Sequence, residues 1–193
     1  MHAPIPQTVP SEAPSGRRSL VFLGSNPLSV AENACRGCVM NEVEPMLSDL
    51  LAPVYDDGTI TVRQDAEWPV PGFMVVAVRP HLGALDEMDL ALVHRLATVT
   101  RCVRRAMRQE LELAAVQTYQ EDKVDRPHYH SWMLPLWPGE MARHTINPRI
   151  YESNIAQYLQ LFHLREYEAR LRACAQLIAD HLDRSEELSG IRS

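Results

Sequence analysis

From Ala34 onward, apolar positions recur densely and change period several times, which predicts a succession of short elements. Asp56-Asp57-Gly58 is a turn signal, and Thr59 to Arg63 after it reads as a strand, so a hairpin is expected here. Pro69, Pro71 and Gly72 interrupt the pattern. Phe73 to Val78 is a continuous, largely β-branched apolar run that fits a buried strand. A helix is predicted to begin at Asp86, with Asp86 and Asp89 as N-cap and acidic first turn. Leu92, Val93, Leu96, Val99, Val103 and Met107 follow helical spacing, while the arginines from Arg95 to Arg108 fall largely elsewhere on the wheel. Leu113 to Tyr119 reads as a strand, Glu121 to Arg126 as a charged loop, and His128 to Leu136 as another strand, closed by Pro135 and Pro138-Gly139. From Glu152 to Asp183 a single long helical pattern places Ile155, Leu159, Phe162, Leu171, Cys174, Ile178 and Leu182 on one face. This order favours an α+β class, an antiparallel sheet packed with helices.

The Pro- and Ser-rich stretch 1–18 reads as a disordered tail. Residues 19–151 form the expected domain. Residues 152–193 are the C-terminal helix, with an apolar face to pack on the domain or on a second subunit.

Composition changes this picture in three ways. The 193 residues are 46% hydrophobic and 23% charged, enough for one core that needs no disulfides. A net charge of −6 argues against a broad nucleic-acid footprint, while a local basic pocket stays compatible. No apolar run approaches the roughly 20 residues of a membrane helix, and the N-terminal stretch has no apolar secretory core, so the expected compartment is the cytoplasm.

Candidate chemistry concentrates in Pro127-His128-Tyr129-His130-Ser131-Trp132-Met133-Leu134-Pro135. On a strand, His128, His130 and Trp132 share one face, so one imidazole can hold a metal while the other serves as nucleophile or base. A surface strand with incidental histidines is the plainer alternative. Cys35-Arg36-Gly37-Cys38 can present two thiolates to one tetrahedral ion, and Zn²⁺ suits two thiolates with two imidazoles. His81, after Arg79-Pro80, and His128 would complete such a site with Cys35 and Cys38. A redox dithiol or two unrelated thiols are the alternatives, although the βαβ setting of a thioredoxin-like motif is missing. Cys102 and Cys174 read as small core hydrophobes. His94, His144, His163 and His181 have no motif around them, and Trp68 and Trp137 read as packing residues.

The succession of C-x-x-C, acidic turn and strand, P-G-F-M-V-V-A-V-R-P-H, helix and P-H-Y-H-S-W-M-L-P resembles the zinc-bearing branch of the histidine triad superfamily, whose signature is P-H-h-H-h-H-h-h-P, where h is hydrophobic. It also carries a distant similarity to galactose-1-phosphate uridylyltransferase-like members. The resemblance covers about Cys35 to Pro138. It implies a histidine-triad-like fold and a structural zinc on Cys35, Cys38, His81 and His128. It makes His130 the residue that attacks a nucleotide α-phosphate, giving a nucleotidyl-histidine that water or a second substrate resolves. The implied protein is a nucleotide hydrolase or nucleotidyltransferase acting on a nucleotide or nucleotide-conjugate substrate, with homodimers common.

Two departures matter. Trp132 stands where the third histidine of the signature is expected, or the glutamine of transferase branches. Its one indole N–H can donate to phosphate, its ring can stack on a base, or it can simply pack. Ser131 and Trp132 are therefore the candidate substrate contacts, with backbone N–H groups near Ser131 assisting charge on phosphorus. The stretch Gln117 to Arg126 lacks the glycines of the phosphate loop found in many members. Lys123 and Arg126 could supply charge instead, or be solvated. Loss of turnover through Trp132 would leave a nucleotide-binding or regulatory protein. A zinc enzyme using metal-bound water would need only three protein ligands.

Overall fold

The computed structural model describes residues 19–20, 28–29, 35–43, 50–65, 67–122, 124, 126–144 and 152–191. The expected tail at 1–18 lies outside them, as does Lys123. A small ladder pairs β1 (Ser19–Leu20) with β2 (Leu28–Ser29). The short helix α1 (Arg36–Val43) follows. The main sheet is antiparallel, in the order β3 (Tyr55–Asp56), β4 (Ile60–Gln64), β5 (Met74–Val78), β7 (His130–Leu136), β6 (Ala115–Gln120). The remaining helices are α2 (Leu90–Glu110), α3 (Pro138–Arg143), α4 (Glu152–Leu159), α5 (Leu164–Asp183) and α6 (Glu186–Ser189). This is the α+β architecture expected from the sequence.

The register divides the sheet into two faces. Ile60, Val62, Val76, Val78 and Met133 lie on one, against the buried side chains of α2 and α5. Thr61, Arg63, Val75, Ala77, His130 and Trp132 lie on the other. The hairpin at β3–β4 forms as expected. Gly58 takes φ of 81°, and Asp57 Oδ1 accepts the amides of Thr59 and Ile60.

Three expectations need correction. The α2 helix is capped by Asp89, whose carboxylate accepts from the Leu92 amide, while Asp86 sits in a separate 3₁₀ turn, Leu85–Glu87. The strand expected from His128 starts at His130, because His128 turns its ring inward to the Val78 carbonyl. It also runs through Pro135, which is tolerated because pairing with β5 reaches only Met133 and β6 alone flanks position 135. Finally, the long helical pattern is two helices. Leu161 and Phe162 close α4 with tight turns, and extended His163 starts α5. The rings of Tyr158, Phe162 and Tyr167 pack across this corner. No glycine or proline marks the break.

Tyr158 ties α4 to the sheet. Its buried hydroxyl donates to the Pro135 carbonyl at 2.8 Å and accepts from the Trp137 amide at 2.9 Å. Tyr158→Phe is expected to destabilise the fold by about 1–3 kcal/mol, since buried backbone groups lose their partner. Urea denaturation checks this, and a loss indistinguishable from zero would contradict it.

Candidate metal and nucleophile site

The four candidate ligands come from three segments that other contacts hold together. Cys35 precedes α1 and Cys38 lies in its first turn. Buried Arg63 of β4 anchors the far end of α1 by donating to the Met40 carbonyl at 3.5 Å and to Asn41 Oδ1 at 3.4 Å. Asn41 in turn donates to the Arg79 carbonyl, which fixes α1 beside the loop that carries His81. The Tyr129 amide donates to the Leu82 carbonyl at 2.7 Å, which pins that loop to the entrance of β7. The cysteines, His81 and His128 converge because these side-chain and backbone hydrogen bonds bring their segments together.

The resulting cluster is compact. Cys35 Sγ lies 3.3 Å from His128 Nδ1, Cys38 Sγ lies 3.6 Å from it, and Cys38 Sγ lies 3.3 Å from His81 Nδ1. All four donor atoms lie within 4.8 Å of one another. A tetrahedral zinc with bonds of 2.0–2.3 Å sets its ligand atoms about 3.6 Å apart, so the donor set fits. His128 is suited to ligation in a further way. It is 6% exposed, and its Nε2–H donates to the Val78 carbonyl at 2.7 Å, leaving the Nδ1 lone pair toward the thiols. Burial, and then the nearby His81, hold its pKa below the ordinary value, in the neutral form a metal requires. The Cys38 thiol is pushed up by burial and by its neighbour Cys35, so metal binding would release protons.

Gly37 is the hidden member of this site. A Cβ at position 37 would fall 2.3 Å from His128 Cγ. The close approach of the imidazole to the C-x-x-C therefore requires the absence of a side chain between the cysteines.

His130 stands beside this cluster on β7. Its Nδ1–H donates to the His128 carbonyl at 2.7 Å, which sets the tautomer with the lone pair on Nε2. The ring of Trp132, on the same face, meets it edge-on with centroids 4.2 Å apart. On the same face, at the end of β4, the Asp65 carboxylate accepts the Glu67 and Trp68 amides. Burial pushes the Asp65 carboxyl up to about 6 against the pull of these bonds. Ser131 points to the opposite, helix-covered face and is buried there, paired with Val76 and Gln120.

The candidates thus separate. Cys35, Cys38, His81 and His128 form one cluster, His130 and Trp132 form an adjoining pair, and the Ser131 side chain is on the other side of the sheet. Arg126 is exposed in the loop before β7, in a left-handed conformation with φ of 51°. His94, His144 and His163 are exposed, and His181 pairs with Glu110 at 2.7 Å.

No protein-family model matches the chain, and no curated protein matches it. Solved structures do. A hypothetical histidine triad nucleotide-binding protein from Sulfolobus tokodaii is 20% identical, with a TM-score of 0.54 over 79% of this chain and 97% of that one. The fold is that of the histidine triad proteins. Two more of them match with lower scores. A Zn-bound histidine triad family protein from Mycobacterium smegmatis is 18% identical over 76% of this chain and 99% of that one, at a TM-score of 0.49. A member of the same family from Bacillus subtilis is 18% identical over 76% and 95%, at 0.48. Among the described residues, no helix is long and apolar enough to cross a membrane. Within this histidine triad fold, sequence reasoning missed Gly37, Arg63, Asn41 and Asp65. Only Gly37, set between two candidate ligands, carried a local signal.

Gly37→Ala is expected to destabilise the protein by about 1–3 kcal/mol through overpacking against His128. Gly139→Ala, where a Cβ meets nothing within 4 Å, is expected to be near neutral. Equal effects in urea denaturation would contradict the close-approach account. Asp65 gives a pH prediction. Its folded pKa is raised from 3.8 to about 6, so the folded state holds this proton more tightly than the unfolded chain. That stabilisation is complete below about 4 and is lost as pH rises through about 6. Between those limits, the stability of wild type relative to Asp65→Asn should fall by on the order of 3 kcal/mol. Paired denaturation at several pH values measures this difference, and a pH-independent gap contradicts it.

Proposed function

We propose that this chain is a zinc-stabilised, histidine-triad-like protein that acts at a nucleotide α-phosphate, as a hydrolase or nucleotidyltransferase, with His130 as the nucleophile. The observation that carries this reading is the division of labour between two neighbouring imidazoles. His128 turns Nδ1 to the thiols, and its own carbonyl orients His130.

Zinc, when bound by Cys35, Cys38, His81 and His128, supplies structure, because four protein ligands leave no open coordination position. The chain's own residues do the chemistry. The His128 carbonyl holds the Nδ1 proton of His130, so that the Nε2 lone pair can attack phosphorus. The P–N bond forms as the bond to the leaving group breaks, and the leaving group departs with its electron pair. As positive charge develops on the imidazole, the same carbonyl stabilises the Nδ1 proton. Water or an acceptor hydroxyl then attacks the nucleotidyl-histidine and restores the neutral ring. Ser131 contributes through its place in β7, which puts His130 and Trp132 together on the other face. Trp132 contributes its ring as a wall of the site.

A second reading is favoured by Trp132 itself. An indole, packed edge-on against His130, stands where the superfamily signature expects a histidine, which suits a protein that binds nucleotides without turning them over. The two readings differ in one measurable species. Incubation with nucleoside phosphoramidates, dinucleoside polyphosphates and nucleotide sugars, followed by intact-mass analysis, should reveal an acid-labile nucleotidyl adduct. His130→Ala should abolish the adduct while zinc content and folding persist, and His128→Ala should lower zinc content and thermal stability first. Equal turnover by wild type and His130→Ala would refute the nucleophile assignment. Binding without any adduct would favour the second reading.

A further inference from the structure

Three of the four donors at the metal site are open to solvent. Cys35 and Cys38 are half-buried, His81 is exposed, and His128 is buried behind them. The two cysteines are also neighbours through one helical turn. The Cys35 carbonyl accepts the Val39 amide at 3.0 Å at the start of α1, and Cys38 sits three positions on from Cys35. Residues at that spacing have Cα atoms about 5 Å apart, inside the range that a disulfide spans. Their sulfurs lie within 4.8 Å of each other. Arg63 and Asn41 hold the far end of α1, so the pair can close by side-chain rotation while the helix stays in place. Cys102 and Cys174 are buried on α2 and α5.

We propose that Cys35 and Cys38 form a reversible redox switch: closing their disulfide empties the metal centre, frees His128 Nδ1 and thereby loosens the orientation of His130. This rests on the reading of the four donors as a zinc centre and of His130 as nucleophile. The oxidant is hydrogen peroxide or another hydroperoxide. One thiolate attacks a peroxide oxygen, the O–O bond breaks, and the second oxygen leaves as hydroxide or alkoxide. The other thiolate then attacks the sulfenic sulfur, the S–S bond forms, and a hydroxide departs. Two electrons pass from the thiolates to the peroxide. The centre loses both sulfur ligands, since the thiolate is the form that binds metal, and the ion is released as Zn²⁺. His128 carries the change onward. Its Nδ1 faces the two sulfurs at 3.3 and 3.6 Å, and its Nε2–H is on the Val78 carbonyl at 2.7 Å. Once the sulfurs bond to each other, the Val78 contact is what anchors this ring. The His128 carbonyl, which accepts the His130 Nδ1 proton at 2.7 Å, then sits on a less constrained residue. A displacement of about 1 Å at a reacting group can cost as much as 100-fold in rate.

The experiment treats the zinc-loaded full chain, with labelled histidine rings, with hydrogen peroxide. Zinc release is followed with a chromogenic chelator, and the oxidised cysteines by intact mass and peptide mapping. The His130 ring signals are identified by their loss in His130→Ala. Peroxide should release zinc in step with the loss of two hydrogens, mapped to a Cys35–Cys38 disulfide, while Cys102 and Cys174 stay reduced. In the oxidised chain the His130 ring signals should shift and broaden. A dithiol reductant with added zinc should restore mass, metal and ring signals. Cys35→His offers an imidazole in place of the thiolate and cannot form the disulfide, so it should keep its zinc at a peroxide concentration that empties wild type. The rate of nucleotidyl-adduct formation should fall roughly 10- to 100-fold on oxidation and recover on reduction.

Zinc released without the Cys35–Cys38 disulfide would overturn the proposal, as would a disulfide that reductant and zinc do not reverse. Unchanged His130 signals in the fully oxidised chain would overturn it as well. If Cys35→His fails to fold, the mapped disulfide and its reversal in wild type decide alone. If wild type holds no zinc even when zinc is supplied, the metal reading fails and takes the proposal with it. If wild type forms no adduct with any nucleotide, the nucleophile reading fails by itself, and zinc release, mass and ring signals still decide whether Cys35 and Cys38 control His130.

Discussion

The site depends on the placement of one imidazole. His128 is held between the Val78 carbonyl on one side and the two thiols on the other, with its ring over Gly37. Turning that side chain inward takes residue 128 out of the β7 ladder. The His128 carbonyl is then directed at the next histidine rather than at a neighbouring strand. A donor set suited to a metal and the orientation of His130 thus both accompany the same local departure from a regular strand.

This arrangement needs support at a distance, because the ligands come from three segments that are not neighbours in sequence. Arg63 and Asn41 hold α1 against the sheet and the His81 loop, and the Leu82–Tyr129 bond closes that loop on β7. The donors of buried Arg63 meet carbonyl and amide oxygens and the Thr61 hydroxyl. A metal joining the four donors would add a covalent cross-link to a corner that hydrogen bonds already shape. On the adjoining surface, the Trp132 ring of β7 packs edge-on against His130.

Much of this was legible in the sequence, for identifiable reasons. The strands expected at 59–63, 73–78 and 113–119 appear at 60–64, 74–78 and 115–120, and the Asp-Asp-Gly turn marked the first hairpin. The C-x-x-C and the two histidines converged as their chemistry suggested. The break after Leu159 was invisible because aromatic packing among Tyr158, Phe162 and Tyr167 makes it, without glycine or proline. The inward turn of His128 was hidden because a strand pattern continues smoothly through it.

The central claim, that His128 serves a closed two-thiolate, two-imidazole centre and leaves His130 for chemistry, is tested most directly by X-ray absorption at the zinc edge of the purified full chain. The account predicts two sulfur neighbours at about 2.3 Å and two nitrogen neighbours at about 2.0–2.1 Å, with no exchangeable water. The His130→Ala spectrum should be the same, and the His128→Ala spectrum should lose one nitrogen. A shell without sulfur, an open water position, or a spectrum altered by His130→Ala rather than His128→Ala would contradict it.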